Sequence, residues 1–171
     1  MTVIVVDGPE ASGKTTIIRE IVKIANNELH TETVVREWGP VEGWYEYVIP
    51  FEDARKDEDR LHVWSRSWAS EIVYNDLLMR GRHIDELSIY HTFESHWMRS
   101  DALLVMVEAP VHVLERRRSE RVAEGGKPDL PIAPGVEMAV FRKYGEANGW
   151  MFVSGNQNPQ DAAIEIMERL K

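Results

Sequence analysis

Apolar residues fall into two patterns along the chain. Thr2–Val6 (TVIVV) is a short, largely β-branched run closed by Asp7-Gly8, and Ala102–Val107 (ALLVMV) is closed by Glu108-Ala109-Pro110. Uninterrupted apolar runs of this length between turn signals predict strands buried on both faces. Elsewhere apolar positions recur every three to four residues. Ile17, Ile18, Ile21, Val22, Ile24, Ala25 and Leu29 place a stripe on a helix predicted over 15–29, and Ala162, Ala163, Ile166, Met167 and Leu170 do the same over 159–170. Shorter strands are predicted over 33–36, 61–64 and 150–153, and further helices over 67–80, 83–99, 111–123 and 136–148. Gly, Pro and aromatic residues predict a loop over 37–50 with a helical turn around Trp44. The charge run 52–60 reads as a solvated helix face or loop. Gly-Gly and three prolines predict a mobile loop over 124–135. Strands alternating with helices predict an α/β fold: a doubly wound, parallel five-stranded sheet with helices on both faces and right-handed crossovers.

Composition narrows this little but excludes several classes. The chain of 171 residues, 43% hydrophobic and 29% charged, suits one soluble domain spanning 1–171. No apolar run approaches the ~20 residues of a membrane span. Asp7 interrupts the first apolar run and no basic leader precedes it, so no secretory leader and a cytoplasmic location are expected. Cysteine is absent, which rules out disulfides, thiolate metal sites and cysteine nucleophiles. The net charge of −9 argues against a protein that grips a long stretch of nucleic acid, without opposing a small phosphorylated substrate. The six histidines (His30, His62, His83, His91, His96, His112) show no zinc spacing. Neither the dinucleotide signature G-x-G-x-x-G nor the hydrolase signature G-x-S-x-G occurs.

The chemistry enters where the first strand ends. Gly8-Pro9-Glu10-Ala11-Ser12-Gly13-Lys14-Thr15 fits G-x-x-x-x-G-K-[ST], the P-loop. Its glycines permit a tight turn, its backbone N–H groups and the following helix N-terminus face a polyphosphate, and its lysine reaches the β- and γ-phosphates. Thr15 is the expected magnesium ligand, and residues 8–16, Thr16 included, are the expected ATP contacts. The chain therefore reads as an ATP- and magnesium-dependent phosphotransferase.

Beyond the P-loop, the chain resembles the thymidylate kinase-like family of nucleoside monophosphate kinases, particularly the small bacteriophage kinases. Four segments carry the likeness. Gly8-Pro9-Glu10 is similar to the family's G-x-D/E, whose carboxylate lies near the acceptor sugar and metal; Glu10 is thus implied as an acceptor or magnesium contact. Some members carry a loop arginine where this chain has Ala11 and Ser12, and relatives without one use lid arginines. Arg36-Glu37-Trp38-Gly39-Pro40 resembles R-E-P-G, and Pro40-Val41-Glu42-Gly43-Trp44 resembles the P-V-x-x-W of deoxynucleoside kinases; both put Arg36 and Glu37 near the acceptor. Ser65-Arg66-Ser67-Trp68-Ala69-Ser70-Glu71-Ile72-Val73-Tyr74 resembles D-R-S-W-x-S-E-x-V-Y, implying Arg66 as a phosphate ligand. Ser65 stands where the family has aspartate, a departure that leaves three openings: Asp7, Glu10 or Glu37 supplies the acid, the acid is unnecessary, or the activity is altered; Asp59-Arg60 is a rival match. Finally, Arg116, Arg117, Arg118 and Arg121 before Gly125-Gly126-Lys127-Pro128 look like an arginine-bearing lid over 116–135, implying Arg117 and Arg121 at the transferring phosphoryl.

The resemblance thus implies catalytic roles for Lys14, Arg66, Arg117, Arg121 and Glu37, and a metal role for Thr15 with Asp7. Trp64, Trp68, Tyr74, Phe93 and Trp97 are core or acceptor-pocket aromatics, with Tyr74 and Phe93 the preferred base-stacking candidates. The loop Val153-Ser154-Gly155-Asn156 matches one that packs near the adenine in relatives. The expected acceptor is a deoxynucleoside monophosphate. Phage relatives that phosphorylate 5-hydroxymethyluracil within DNA keep a DNA acceptor open, as does the resemblance for a deoxynucleoside acceptor, a switch module without turnover, and a homodimer. No membrane partner is expected.

Overall fold

The computed structural model describes residues 2–81, 84–95, 101–126 and 130–170. His83, His96, Trp97 and the Lys127-Pro128 part of the expected lid lie outside the described residues. Five strands form one parallel sheet: β1 (Val3–Asp7), β2 (Glu32–Glu37), β3 (Arg60–Ser65), β4 (Ala102–Glu108) and β5 (Met151–Ser154), in spatial order β2-β3-β1-β4-β5. Seven helices accompany them among the described residues: α1 (Lys14–Asn27), α2 (Tyr45–Lys56), α3 (Trp68–Leu78), α4 (Ile84–Phe93), α5 (Val111–Ala123), α6 (Pro134–Ala147) and α7 (Pro159–Glu168).

The period-2 alternation of β1 explains both cores. Val3 and Val5 face one side, packing with Trp64, Leu104 and Met106 against aromatics of α2, α3, α4 and α6. Ile4 and Val6 face the other, with Val63, Val105 and Val107 against the isoleucine stripe of α1 and the alanines of α7. All five residues of β1 are fully buried, as a central strand between two helical layers requires. The chain runs from β1 outward to β2 and β3 on one side, then crosses to β4 on the other. The carboxyl end of β1 is therefore the topological switch point, where such sheets bind ligands.

Most expected elements form within one or two residues of their expected ends, and α5 spans 111–123 as expected. The differences are α4, which runs from Ile84 to Phe93 where a helix over 83–99 is expected, residues 96–99 lying outside the described residues, and α2. The segment read as a loop over 37–50 and a charge run over 52–60 contains a helix from Tyr45 to Lys56, with Pro50 inside it. Tyr47, Phe51 and Ala54 are buried along it at a spacing of four and three, with Val48 partly buried beside them. The rival Asp59-Arg60 match also falls away: Arg60 opens β3 at the end of the sheet remote from the P-loop and pairs with Asp57 at 2.7 Å.

Candidate active site

The P-loop turns out of β1 with Gly8 at φ 138°. A side chain there would bring its Cβ to 2.2 Å from the Val107 carbonyl oxygen, so close packing on β4 demands glycine. Lys14 folds back into the loop and donates to Gly8 O and Pro9 O, both at 2.7 Å, and to Ser12 Oγ at 3.4 Å. Burial, reinforced by the nearby Arg66 guanidinium, lowers its pKa to about 8. The lysine is thus held among carbonyls, ready to exchange them for phosphate oxygens.

Asp7, expected as a metal ligand, is engaged in this structure by hydrogen bonds. One carboxylate oxygen accepts from Gly8 N (2.8 Å) and Ser70 Oγ (2.7 Å), the other from Ser67 Oγ (2.6 Å) and Ser70 N (3.2 Å). It is fully buried, and these four bonds engage the lone-pair sites a carboxylate has. Asp7 therefore pins the N-terminus of α3 to the P-loop.

A cleft of about 530 Å³ lies over the P-loop, lined by residues 10–17 together with Glu37, Ser65, Arg66, Arg117, Arg121 and Gly155 among others. A second cavity of about 170 Å³ adjoins it and shares Glu10 and Arg66 with it. Its walls include Trp38, Tyr47, Tyr74 and Leu130, and Glu71 and Arg80 also line it, 3.7 Å apart. Glu10 stands at the junction of the two: one oxygen is 3.4 Å from Arg66 and the other 3.4 Å from Arg121. Arg66 is presented by a left-handed backbone (φ 68°), with its N–H donated to Val6 O at 2.9 Å. That sharp exit from β3 turns its side chain towards the P-loop. Ser65 and Glu37 are register partners at the ends of β3 and β2 and line the same cleft as Thr15. A carboxylate, that of Glu37, thus lines the cleft one strand further out than position 65.

Four expected site residues sit elsewhere. Phe93 is in the core, stacked edge-on against Phe51 (5.7 Å) and Trp68 (5.6 Å); it is not on the wall of either cavity above. Trp64 and Trp68 are core residues too. Arg36 points to the outer face of the sheet edge, its guanidinium 5.2 Å from the Trp38 ring and its side chain lining a separate cavity with Asp53 and His62. This follows from strand alternation: Glu37 faces the cleft, so its neighbour faces away. Arg117 reaches the cleft but donates to three backbone carbonyls, Ala11 O (3.1 Å), Ser12 O (3.1 Å) and Gly155 O (2.9 Å). It fastens the P-loop to the loop after β5, while Arg121, one helical turn on, takes the position facing Glu10.

Sequence reasoning missed Arg80 and Glu137. Met79 ends α3 in a left-handed conformation (φ 48°), which folds Arg80 back over the Tyr74 ring at 5.8 Å. Glu137, on α6, is buried and bonded to the P-loop, to Tyr74 and to Arg118. Nothing in the local pattern marks either residue.

No family model matches the chain, and no curated protein sequence matches it. Solved structures do. The YorR protein of Bacillus subtilis, in complex with phosphorylated GDP, superposes with a TM-score of 0.64 at 17% identity, covering 99% of this chain and 95% of that one. Deoxyadenosine kinase from M. mycoides, with dCMP and dCDP products bound, gives 0.58 at 14% identity over 98% of both chains. Polyphosphate kinase 2 from Arthrobacter aurescens gives 0.61 at 15% identity, over 99% of this chain and 68% of that one. The fold is that of P-loop kinases. Among the described residues no helix is long and apolar enough to cross a membrane, and no group of three or more His, Asp or Glu side chains could hold a metal ion by itself.

Proposed function

We propose that the chain is an ATP-dependent kinase of the thymidylate kinase-like kind, transferring the γ-phosphoryl group to a deoxynucleoside monophosphate. One observation carries the reading: the P-loop cleft and the aromatic-walled cavity meet at Glu10 and Arg66, so a donor phosphate chain and a planar acceptor would converge on one guanidinium. Residues 8–16 hold the donor. Lys14 leaves its carbonyl partners for the β- and γ-phosphates. Arg66 and Arg121 face the transferring group from opposite sides and neutralise the charge that spreads over its oxygens. Displacing Glu10 from between them admits that group. The acceptor base lies against Trp38, Tyr47 and Tyr74, and its edge meets the Glu71–Arg80 pair. For a magnesium ion, a hard cation that prefers oxygen, the cleft offers the Thr15 hydroxyl and the Glu37 carboxylate. Bound there, the ion would neutralise charge on the donor phosphates.

A second reading, a deoxynucleoside acceptor, is supported by Glu37. Its carboxylate, beside Ser65, is a candidate base for a hydroxyl proton, and a kinase of deoxyadenosine is among the structural neighbours. The test is radiolabelled ATP offered with each deoxynucleotide, each deoxynucleoside and 5-hydroxymethyluracil-containing DNA. Label in a monophosphate acceptor supports the first reading; label confined to nucleosides or to DNA overturns it. Tight ATP binding with no labelled acceptor would make the chain a switch module.

A further inference from the structure

Glu137 is a buried carboxylate far from any expected motif, and it touches three parts of the site at once. One oxygen accepts from the backbone N–H of Glu10, at 3.0 Å, and from the Tyr74 hydroxyl; the other accepts from the Arg118 guanidinium. Glu137 is 1% exposed, Arg118 5% and Tyr74 4%. Arg118 also donates to Ile132 O at 3.1 Å, so the returning end of the loop between α5 and α6 is tied into the same knot. Four segments converge on this carboxylate: the P-loop, α3, α5 and α6.

Stability does not account for such a group. Removing two ions from water costs several kcal/mol each, and apolar pairs of similar volume often serve a core as well or better. What an ion pair supplies here is fixed direction. The Glu10 backbone is held by Glu137, while the Glu10 carboxylate spans Arg66 and Arg121. Tyr74 is held by the same oxygen and forms a wall of the second cavity. Burial raises the Tyr74 pKa well above its ordinary value, so its hydroxyl stays a donor to Glu137 throughout the working pH range.

We infer that Glu137 is a positioning residue for the acceptor half of the site, setting the Glu10 loop position and the Tyr74 wall together from α6. The inference rests on the kinase reading above but is tested separately from it. The double variant E137M/R118M replaces the ion pair by apolar side chains of similar volume, so the fold is kept while the acceptors for Glu10 N–H and Tyr74 O–H are lost. Hydrogen exchange is measured first, without any acceptor. Amides of residues 10–12 should exchange at least about tenfold faster in the variant than in the parent; unchanged exchange there overturns the inference whatever the enzyme's activity.

Steady-state kinetics on the acceptor the parent uses then separates positioning from support. The expected result is an acceptor kcat/KM lower by about tenfold to a hundredfold, with ATP affinity within about threefold of the parent. A lower melting temperature with kinetic constants per folded molecule unchanged would make Glu137 merely structural. Should the double variant fail to fold, Y74F removes the hydroxyl contact alone. It should show the same acceptor-specific loss in smaller degree, and parental kinetics in Y74F overturn the inference. A parent that phosphorylates no acceptor, with the exchange difference intact, sinks the kinase reading and leaves the positioning of the loop established.

Discussion

At the scale of single residues, Lys14 makes the site measurable. In the unfolded chain it holds its proton up to about 10.5, in the folded protein only to about 8. Between those values the unfolded chain binds more protons, so its contribution to stability rises with pH across that window and is unfavourable below it. A polyphosphate reverses the environment by bringing negative charge to the ammonium. ATP binding should therefore take up a proton near about pH 8.5, read by calorimetry in two buffers of different ionisation enthalpy. An apparent enthalpy that does not depend on the buffer would show that Lys14 is already charged in the free protein. Lys14→Ala should also lose ATP-dependent thermal stabilisation, and a thermal shift equal to the parent's would remove the P-loop as the donor site. The two lid-helix arginines should part company. Arg121→Met should lower kcat by about a hundredfold with ATP affinity little changed, as for loss of a charge acting mainly in the transition state. Arg117→Met, which unfastens three backbone carbonyls, should instead weaken ATP binding. Single-turnover rates and ATP titrations on the two variants distinguish these outcomes.

At the scale of elements, the decisive bond set is the one between β1 and α3. Asp7 holds Ser67 and Ser70, and Ser67 also caps α3 by accepting from Ala69 N at 3.1 Å. The α3 wall of the second cavity is therefore registered to the P-loop by a side chain and not by a flexible loop. Asp7→Asn keeps the shape but loses the charge, and should cost about 2 kcal/mol of stability, read by urea unfolding, with acceptor KM raised more than ATP affinity. An unchanged midpoint would mean that the charge adds nothing to the bracket. The same bracket explains what could be read in advance. The P-loop, Arg66 and the helix at 111–123 are legible because their residue types and spacings are local. Helix α2 is not, because Pro50 interrupts it and its three buried residues make a short stripe. Arg36 and Phe93 lie outside the walls of both cavities, because facing direction on a strand and packing depth in a core are set by partners elsewhere. Glu137 was invisible for the same reason: its bond to Glu10 spans 127 positions, and no window of sequence contains both ends.

At the scale of the whole molecule, the two cores lie on opposite faces of one sheet and share β1, whose alternate residues enter both. If 1–171 is a single folding unit, damage to one face must be felt on the other. Ile21 lies in the core beneath α1, fully buried, and among the described residues no tryptophan belongs to the buried cluster there; Trp64, Trp68 and Trp150 lie in the cluster across the sheet. Ile21→Ala should cost about 2–5 kcal/mol through lost burial and the cavity left behind. In a cooperative domain the tryptophan fluorescence and far-ultraviolet circular dichroism transitions should shift together by that amount and remain superimposable. A fluorescence midpoint that stays at the parental value while the circular dichroism midpoint falls would show that the two faces unfold separately. The donor and acceptor halves of the cleft would then belong to units of different stability, since the Lys14 helix packs on one face and the Tyr74 helix on the other. Coincident transitions would instead mean that the junction at Glu10 and Arg66 is held by both cores at once, which is what a site joining two substrates requires.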